Sequence, residues 1–180
     1  MTAPPRFIIH PSPVGDVLVV TTDDGIVSLR PFDAPIGVEL ERLSALLGVV
    51  PEHEPTDIAI AAAEQLDEYF DGVRHEFDLV LDWRLVGGFT RDALHAVSDI
   101  PYGETASYGE VAIMAGRPRA ARAVGTACRT TPFSIAVPVH RVVRADGSLG
   151  EYGGRPDIKA FLVDLESGAL ATSGARRESE

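Results

Sequence analysis

Nucleophilic, metal-binding and phosphate-binding chemistry each require particular side chains, and this chain of 180 residues supplies them unevenly. Cys128 is the only cysteine, so an internal disulfide and a multi-cysteine zinc site are both excluded, and the histidines lack metal-ligand spacing. A single thiol is either a nucleophile or, as lone cysteines more often are, a small buried hydrophobe; we read Cys128 as the second. Phosphate-binding chemistry is better supplied. Thr105–Ala145 holds six arginines and one acid, Glu110, whereas residues 1–88 hold five arginines and sixteen acids, in a chain whose net charge is −11. A basic patch joined to an acidic half fits a nucleic-acid contact, and it equally fits the solvated face of an acidic protein.

The elements that would position these residues follow from periodicity and punctuation. Phe7-Ile8-Ile9 and Val17-Leu18-Val19-Val20 are separated by Pro13-Val14-Gly15 and followed by Asp23-Asp24-Gly25, which predicts a small antiparallel sheet between Arg6 and Phe32. Leu40, Leu43 and Leu47 predict one helix, and Ile58, Ala62, Leu66, Tyr69 and Phe70 a second that Gly72 ends. Glu76–Trp83 reads as a further strand. Val86-Gly87-Gly88 is the best linker and coincides with the change in charge balance, giving domains at 1–88 and 89–167 and a flexible tail at 168–180. The expected fold class is α/β: a small N-terminal domain with antiparallel sheet and helices, and a mainly helical C-terminal domain. No stretch approaches the ~18 apolar residues of a membrane span, and the N-terminus lacks a secretion signal, so a cytoplasmic protein without membrane contact is expected.

In the second half, a helix from Phe89 to about Ser98 precedes the turn-rich Pro101-Tyr102-Gly103. Ser107 with Glu110 forms a capping box that starts the next helix. Gly116 stops it, and Pro118 is suited to open another over Pro118–Arg129, together a helix-turn-helix. Arg122, Gly125 and Arg129 share one stripe of that helix, while Ala121, Val124 and Cys128 share another. Six positions from Arg122, Cys128 is about 240° away and is expected to point elsewhere. The small residues Ala120, Ala121, Ala123, Gly125 and Ala127 permit close approach of the helix backbone, either to another helix or to a ligand. Near the C-terminus, Pro156 opens a helix with Ile158, Phe161, Leu162 and Leu165 on its apolar face and Glu166 at the margin.

The segments IPYGETASYGEVA, GRPRAARAVGTA, PVHRVVRADGSLGEYGG and KAFLVDLE, in this order and spacing, resemble the O6-alkylguanine-DNA alkyltransferases and their alkyltransferase-like relatives. SPVGDVLVVTTDDGIVSL and EQLDEYFDGVRHEFDL resemble the same family's N-terminal domain, so the likeness covers nearly the whole chain.

The resemblance implies a helix-turn-helix that enters the minor groove of double-stranded DNA. It puts Tyr108 against the phosphate beside the target base and Arg122 in the gap left when that base flips. Ala121, Gly125, Arg129 and Arg141 would complete the DNA-contacting set, and Pro138, Tyr152, Gly153 and Gly154 a pocket for O6-alkylguanine. The family's repair centre reads Pro-Cys-His-Arg with a distant glutamate; here it reads Pro138-Val139-His140-Arg141, with Glu166 in the matching helix. Val139 has neither a lone pair nor a proton to lose, so it cannot accept an alkyl group. His140 is the expected partner of Glu166. Thr131, Thr90 and Leu94 also depart from the family's usual Asn, Gln and Trp, and the alkyltransferase-like proteins usually carry Trp or Ala, not Val, at the cysteine position. The resulting expectation is a damage sensor that binds O6-alkylguanine in DNA without repairing it, uses no cofactor or metal, and hands the lesion to downstream repair proteins. Two alternatives are an alkyltransferase inactivated by replacement of its cysteine and a scaffold that keeps the fold without binding DNA.

Overall fold

The computed structural model describes residues 2–168 and divides them into two compact units. The predicted tail, apart from Gly168, lies outside the described residues. The first unit comprises residues up to Gly87 together with the returning segment Pro132–Ala136.

Strands β1 (Arg6–His10), β2 (Val17–Thr22) and β3 (Gly25–Pro31) form the expected antiparallel meander. A short parallel strand, β4 (Glu52–His53), joins the edge to give the order β3-β2-β1-β4. Side chains alternate between sheet faces. Phe7, Leu18, Val20 and Val27 pack with Leu43 of helix α1 (Ile36–Leu47), and Leu40 and Leu47 close over them. Helix α2 (Asp57–Phe70) also packs on β1, β2 and β3, which is why β2 is buried along nearly its whole length instead of alternating. Thr56 caps α2 by accepting a hydrogen bond from the Ala59 amide at 3.1 Å. The buried stripe of α2 is Ala59, Ala62, Leu66 and Tyr69, with Ile58 and Phe70 only half-buried.

Glu76–Trp83 is not a strand. It touches β3 at a single bridge, Ile26 to Leu81, then curls into a 3-10 turn at Trp83–Leu85. Asp82 causes the curl: its carboxylate accepts from the Thr22 hydroxyl at 2.5 Å and from the Arg84 amide at 3.1 Å, so it caps the turn instead of leaving the chain extended. The returning segment is held to the same unit by the Leu29 amide donating to the Pro132 carbonyl (2.8 Å) and by the Trp83 and Phe133 rings, 5.0 Å apart.

In the second unit α3 (Gly88–Ser98), α4 (Tyr108–Met114) and α5 (Ala121–Thr130) pack on one another, and α6 (Pro156–Ser167) packs on a 3-10 turn at Val139–Arg141. A two-stranded parallel ladder pairs β5 (Ala106–Ser107) with β6 (Val142–Val143). Helix α5 begins at Ala121 and not at Pro118. Pro118 occupies a turn closed by the Ala120 amide on the Arg117 carbonyl (2.9 Å), where its fixed φ is equally suited, and the first helical bond runs from Val124 to Ala120. Gly116, at φ +81°, ends the preceding helix in the left-handed conformation that favours glycine.

Candidate nucleic-acid interface

The β5–β6 ladder brings the two chemically interesting segments together. β5 leads directly into α4, so its pairing with β6 places Tyr108, the first residue of α4, beside the turn that carries Val139 and His140. The start of α4 is fixed by a reciprocal cap: the Glu110 amide donates to the Ser107 hydroxyl at 3.1 Å, and the Ser107 amide donates to the Glu110 carboxylate at 2.6 Å. Hydrogen bonding from Ser107, first by its amide and then by its hydroxyl, holds the Glu110 carboxyl below its ordinary value.

Between α4, α5 and the 150–154 loop lies an open cavity of about 550 Å³. Tyr108, Arg122, Gly125, Arg129, Val139, Tyr152, Gly153 and Gly154 all line it. The half-buried Tyr108 ring lies against two glycines. A Cβ on Gly125 would stand 3.8 Å from the ring, and one on Gly150 would stand 3.4 Å from the hydroxyl. Gly150 also has φ +76°, so a larger residue there would be strained. Position 125 thus faces a tyrosine of this same unit, at a distance that leaves room for a methyl group. Ala121 is half-buried and Pro138 buried, and neither lines the cavity.

Behind Val139, which is 2% exposed, sits a buried polar centre. His140 Nε2 lies 2.7 Å from Glu166 Oε1, and the Arg141 guanidinium grips the same carboxylate through Nε and one terminal nitrogen, each at 2.9 Å. Its other terminal nitrogen donates to the Ile100 carbonyl at 2.6 Å, and the group stacks 5.7 Å from the Tyr102 ring centroid. Burial opposes the charge on Glu166, but the hydrogen bonds from His140 and Arg141 outweigh it and hold the carboxyl at about 2. Burial lowers the pKa of His140 despite the Glu166 contact, so the imidazole is neutral at pH 7.

Two expectations are corrected here, for Arg141 and for Cys128. Arg141, expected on DNA, is 7% exposed and its fork is spent on Glu166 and Ile100, so its side chain does not present to solvent. Lys159 of α6 is enclosed in the same way: it is 1% exposed and donates to the Val142 carbonyl at 2.6 Å. Cys128 does not point away: it lines the same cavity as Arg122 and Val139. A rotation of 240° one way is about 120° the other, and the cavity spans that shorter arc of α5. Burial pushes its thiol up to about 12, so it carries almost no thiolate at neutral pH. Arg144 and Glu151 also line the cavity and were not picked out from sequence; Arg144 falls within the basic run, whereas nothing in the pattern marks Glu151.

The arginines separate into two classes. Arg6, Arg30, Arg42, Arg74 and Arg84, all in the first unit, each sit within 4.0 Å of a carboxylate. Arg117, Arg119, Arg122, Arg129 and Arg144 make no ion pair among the described residues, and Arg117 stacks on Phe89 instead. Four of these five unpaired guanidiniums lie on α5 or the turn leading into it, and Arg144 stands on the loop across the cavity. A surface with this charge and no internal neutralisation is suited to a polyanion.

Comparison with known proteins agrees with this geometry. Residues 6–83 match the ribonuclease-like domain of 6-O-methylguanine DNA methyltransferase, and residues 88–168 match its DNA-binding domain. A methylated-DNA–protein-cysteine methyltransferase of Mycolicibacterium paratuberculosis is 51% identical over 154 residues, spanning 78% of this chain and 93% of that protein. One from Methanosarcina barkeri is 45% identical over 170 residues, spanning 91% and 98%. Among solved structures, Mycobacterium tuberculosis OGT in complex with DNA superposes with a TM-score of 0.76 at 36% identity, covering 92% of this chain and 94% of that one. With both domains matched and the fold shared along nearly its whole length, the chain belongs to the 6-O-methylguanine-DNA methyltransferase family and carries its DNA-binding alkyltransferase fold.

Proposed function

We propose that this protein binds double-stranded DNA through α4 and α5, holds a flipped O6-alkylguanine in the cavity beside Val139, and does not repair it. The observation that carries the reading is the side chain at position 139: a valine lines the cavity directly before the His140–Glu166 pair. Alkyl transfer needs a thiolate within reach of the alkyl carbon. Valine supplies none, and the one thiol that lines the cavity is held at about 12. The relatives named as methyltransferases supply the substrate class, and in this chain the loss of the acceptor turns that chemistry into recognition.

The unpaired arginines supply the affinity. Arg119, Arg129 and Arg144 contact phosphates and hold the duplex without reading its sequence. Arg122 enters the gap left by the extruded base, where it offsets part of the few kcal/mol that unstacking costs. Tyr108 contacts the backbone next to that base. The helix-turn-helix docks in the minor groove, about 6 Å wide, which the short side chains of α5 fit. The functional division is residues 1–88 as an acidic N-terminal domain and 89–167 as the DNA-binding domain. The protein acts in the cytoplasm as a damage sensor and passes the lesion to other repair proteins. No helix among the described residues is long and apolar enough to cross a membrane.

Matched duplexes with and without one O6-methylguanine test the reading by equilibrium binding. A clear preference for the lesion duplex is expected. Equal affinity for both would remove the sensor role while leaving DNA binding, and absence of binding at low salt would leave only a family fold put to another use.

A further inference from the structure

Lys159, on α6, is an ammonium buried without a counter-charge. It is 1% exposed, and no carboxylate pairs with it among the described residues. Nζ donates to the Val142 carbonyl at 2.6 Å, reaches the Glu151 carbonyl at 3.5 Å, and stands 5.8 Å from the Tyr108 ring centroid. The other titratable or charged groups that face it are Cys128, His140 and Arg144, and none of them is an anion at neutral pH. Burying a charge in this way costs folding free energy. The cost is visible in the amine itself, which is lowered to about 8, mainly by burial and further by Arg144, with Cys128 acting in the opposite direction. A methionine would fill similar space without that cost, so packing does not account for the ammonium. What the charge does is join β6, through Val142, to two walls of the cavity: the 150–154 loop through Glu151 and the start of α4 through the Tyr108 ring.

Resting on the lesion-binding reading, we propose that Lys159 is a positioning residue that sets lesion selectivity, tying Tyr108 and the 150–154 loop to β6 behind the cavity. Undamaged duplex is held by exposed arginines that make no contact with Lys159, so its affinity does not pass through this tie. Selectivity for the extruded base does, because that base must fit between Tyr108 and the loop.

The test measures affinity for duplexes with and without one O6-methylguanine, together with the thermal midpoint, for the unaltered chain, Lys159→Met and Lys159→Gln. Lys159→Met is expected to melt at or above the unaltered chain and to bind undamaged duplex equally well. Its lesion preference is expected to fall about tenfold, the scale of one lost charge-assisted hydrogen bond. Lys159→Gln keeps an uncharged donor and should recover part of the preference. In the unaltered chain the preference should decline as pH rises, with a midpoint near 8. Retained preference in a folded Lys159→Met, or equal loss on both duplexes, overturns the positioning role. If the methionine variant does not fold, a pH-independent preference in the unaltered chain overturns it instead. An unaltered chain that binds both duplexes equally overturns the lesion-binding reading, and this inference with it.

Discussion

At the residue scale, the polar centre behind Val139 is complete in geometry. His140, Arg141 and Glu166 are all buried and mutually bonded, and that bonding has consequences for stability whether or not a nucleophile is present. Arg141→Ala should cost about 3–5 kcal/mol in urea unfolding, because it strands a buried carboxylate. A loss below about 1 kcal/mol would show that Glu166 does not depend on it. Acid should destabilise the fold in two stages. His140 is held below its ordinary 6.5, so as pH falls past that value the unfolded chain takes up a proton the folded one refuses, and stability drops. Glu166 is held at about 2 against an ordinary 4.5; its contribution is complete above 4.5 and is lost as pH falls from there toward 2. Unfolding free energy followed from neutral pH to about pH 3 should therefore decline throughout, and a plateau below pH 6 would contradict the buried pair. Arg122 makes no ion pair and is exposed, so Arg122→Ala should leave the thermal midpoint unchanged while weakening lesion binding roughly tenfold. Unchanged lesion affinity would remove it from the gap.

At the element scale, Gly125 lies within α5, where glycine is a poor helix former, and a Cβ there meets Tyr108 only at ordinary contact distance. Gly125→Ala should accordingly raise stability by about 0.5–1 kcal/mol and weaken duplex binding, since the added methyl stands on the face proposed to approach the groove. Raised stability with undiminished binding would place the groove contact elsewhere on α5. Much of this arrangement was legible in the sequence. The meander, α1, α2, α3 and the capping box at Ser107 and Glu110 all follow from local patterns that the fold leaves undisturbed. The failures share a cause: a distant group outweighed the local signal. Glu76–Trp83 alternates like a strand, but Asp82 binds Thr22, sixty residues away, and bends the chain. Arg141 and Lys159 look like surface cations until α6 and the Val139 turn enclose them. Cys128 is hidden from Arg122 on a helical wheel, yet the cavity reaches both. Parallel pairing of β5 with β6 joins residues 106 and 142, and two-residue strands carry no periodicity by which to foresee it.

At the scale of the whole molecule, a chain of net charge −11 in a DNA-binding family is at odds with phosphate attraction until the charges are sorted by partner. The acidic excess lies in residues 1–88, where every arginine already has a carboxylate within reach, whereas the guanidiniums of residues 117–129 and Arg144 are left to an external anion. Net charge governs solubility and long-range steering; the unpaired groups govern where a duplex can lie. The same molecule then carries the family's DNA-binding fold with a valine beside the cavity, and the function proposed for it is recognition without transfer. The most direct test is the intact mass of the protein after prolonged incubation with excess duplex containing one O6-methylguanine, at concentrations where the complex is saturated. Unmodified protein and a duplex that still carries its lesion are expected. A stoichiometric gain of one methyl group, on Cys128 or on any other residue, would contradict it.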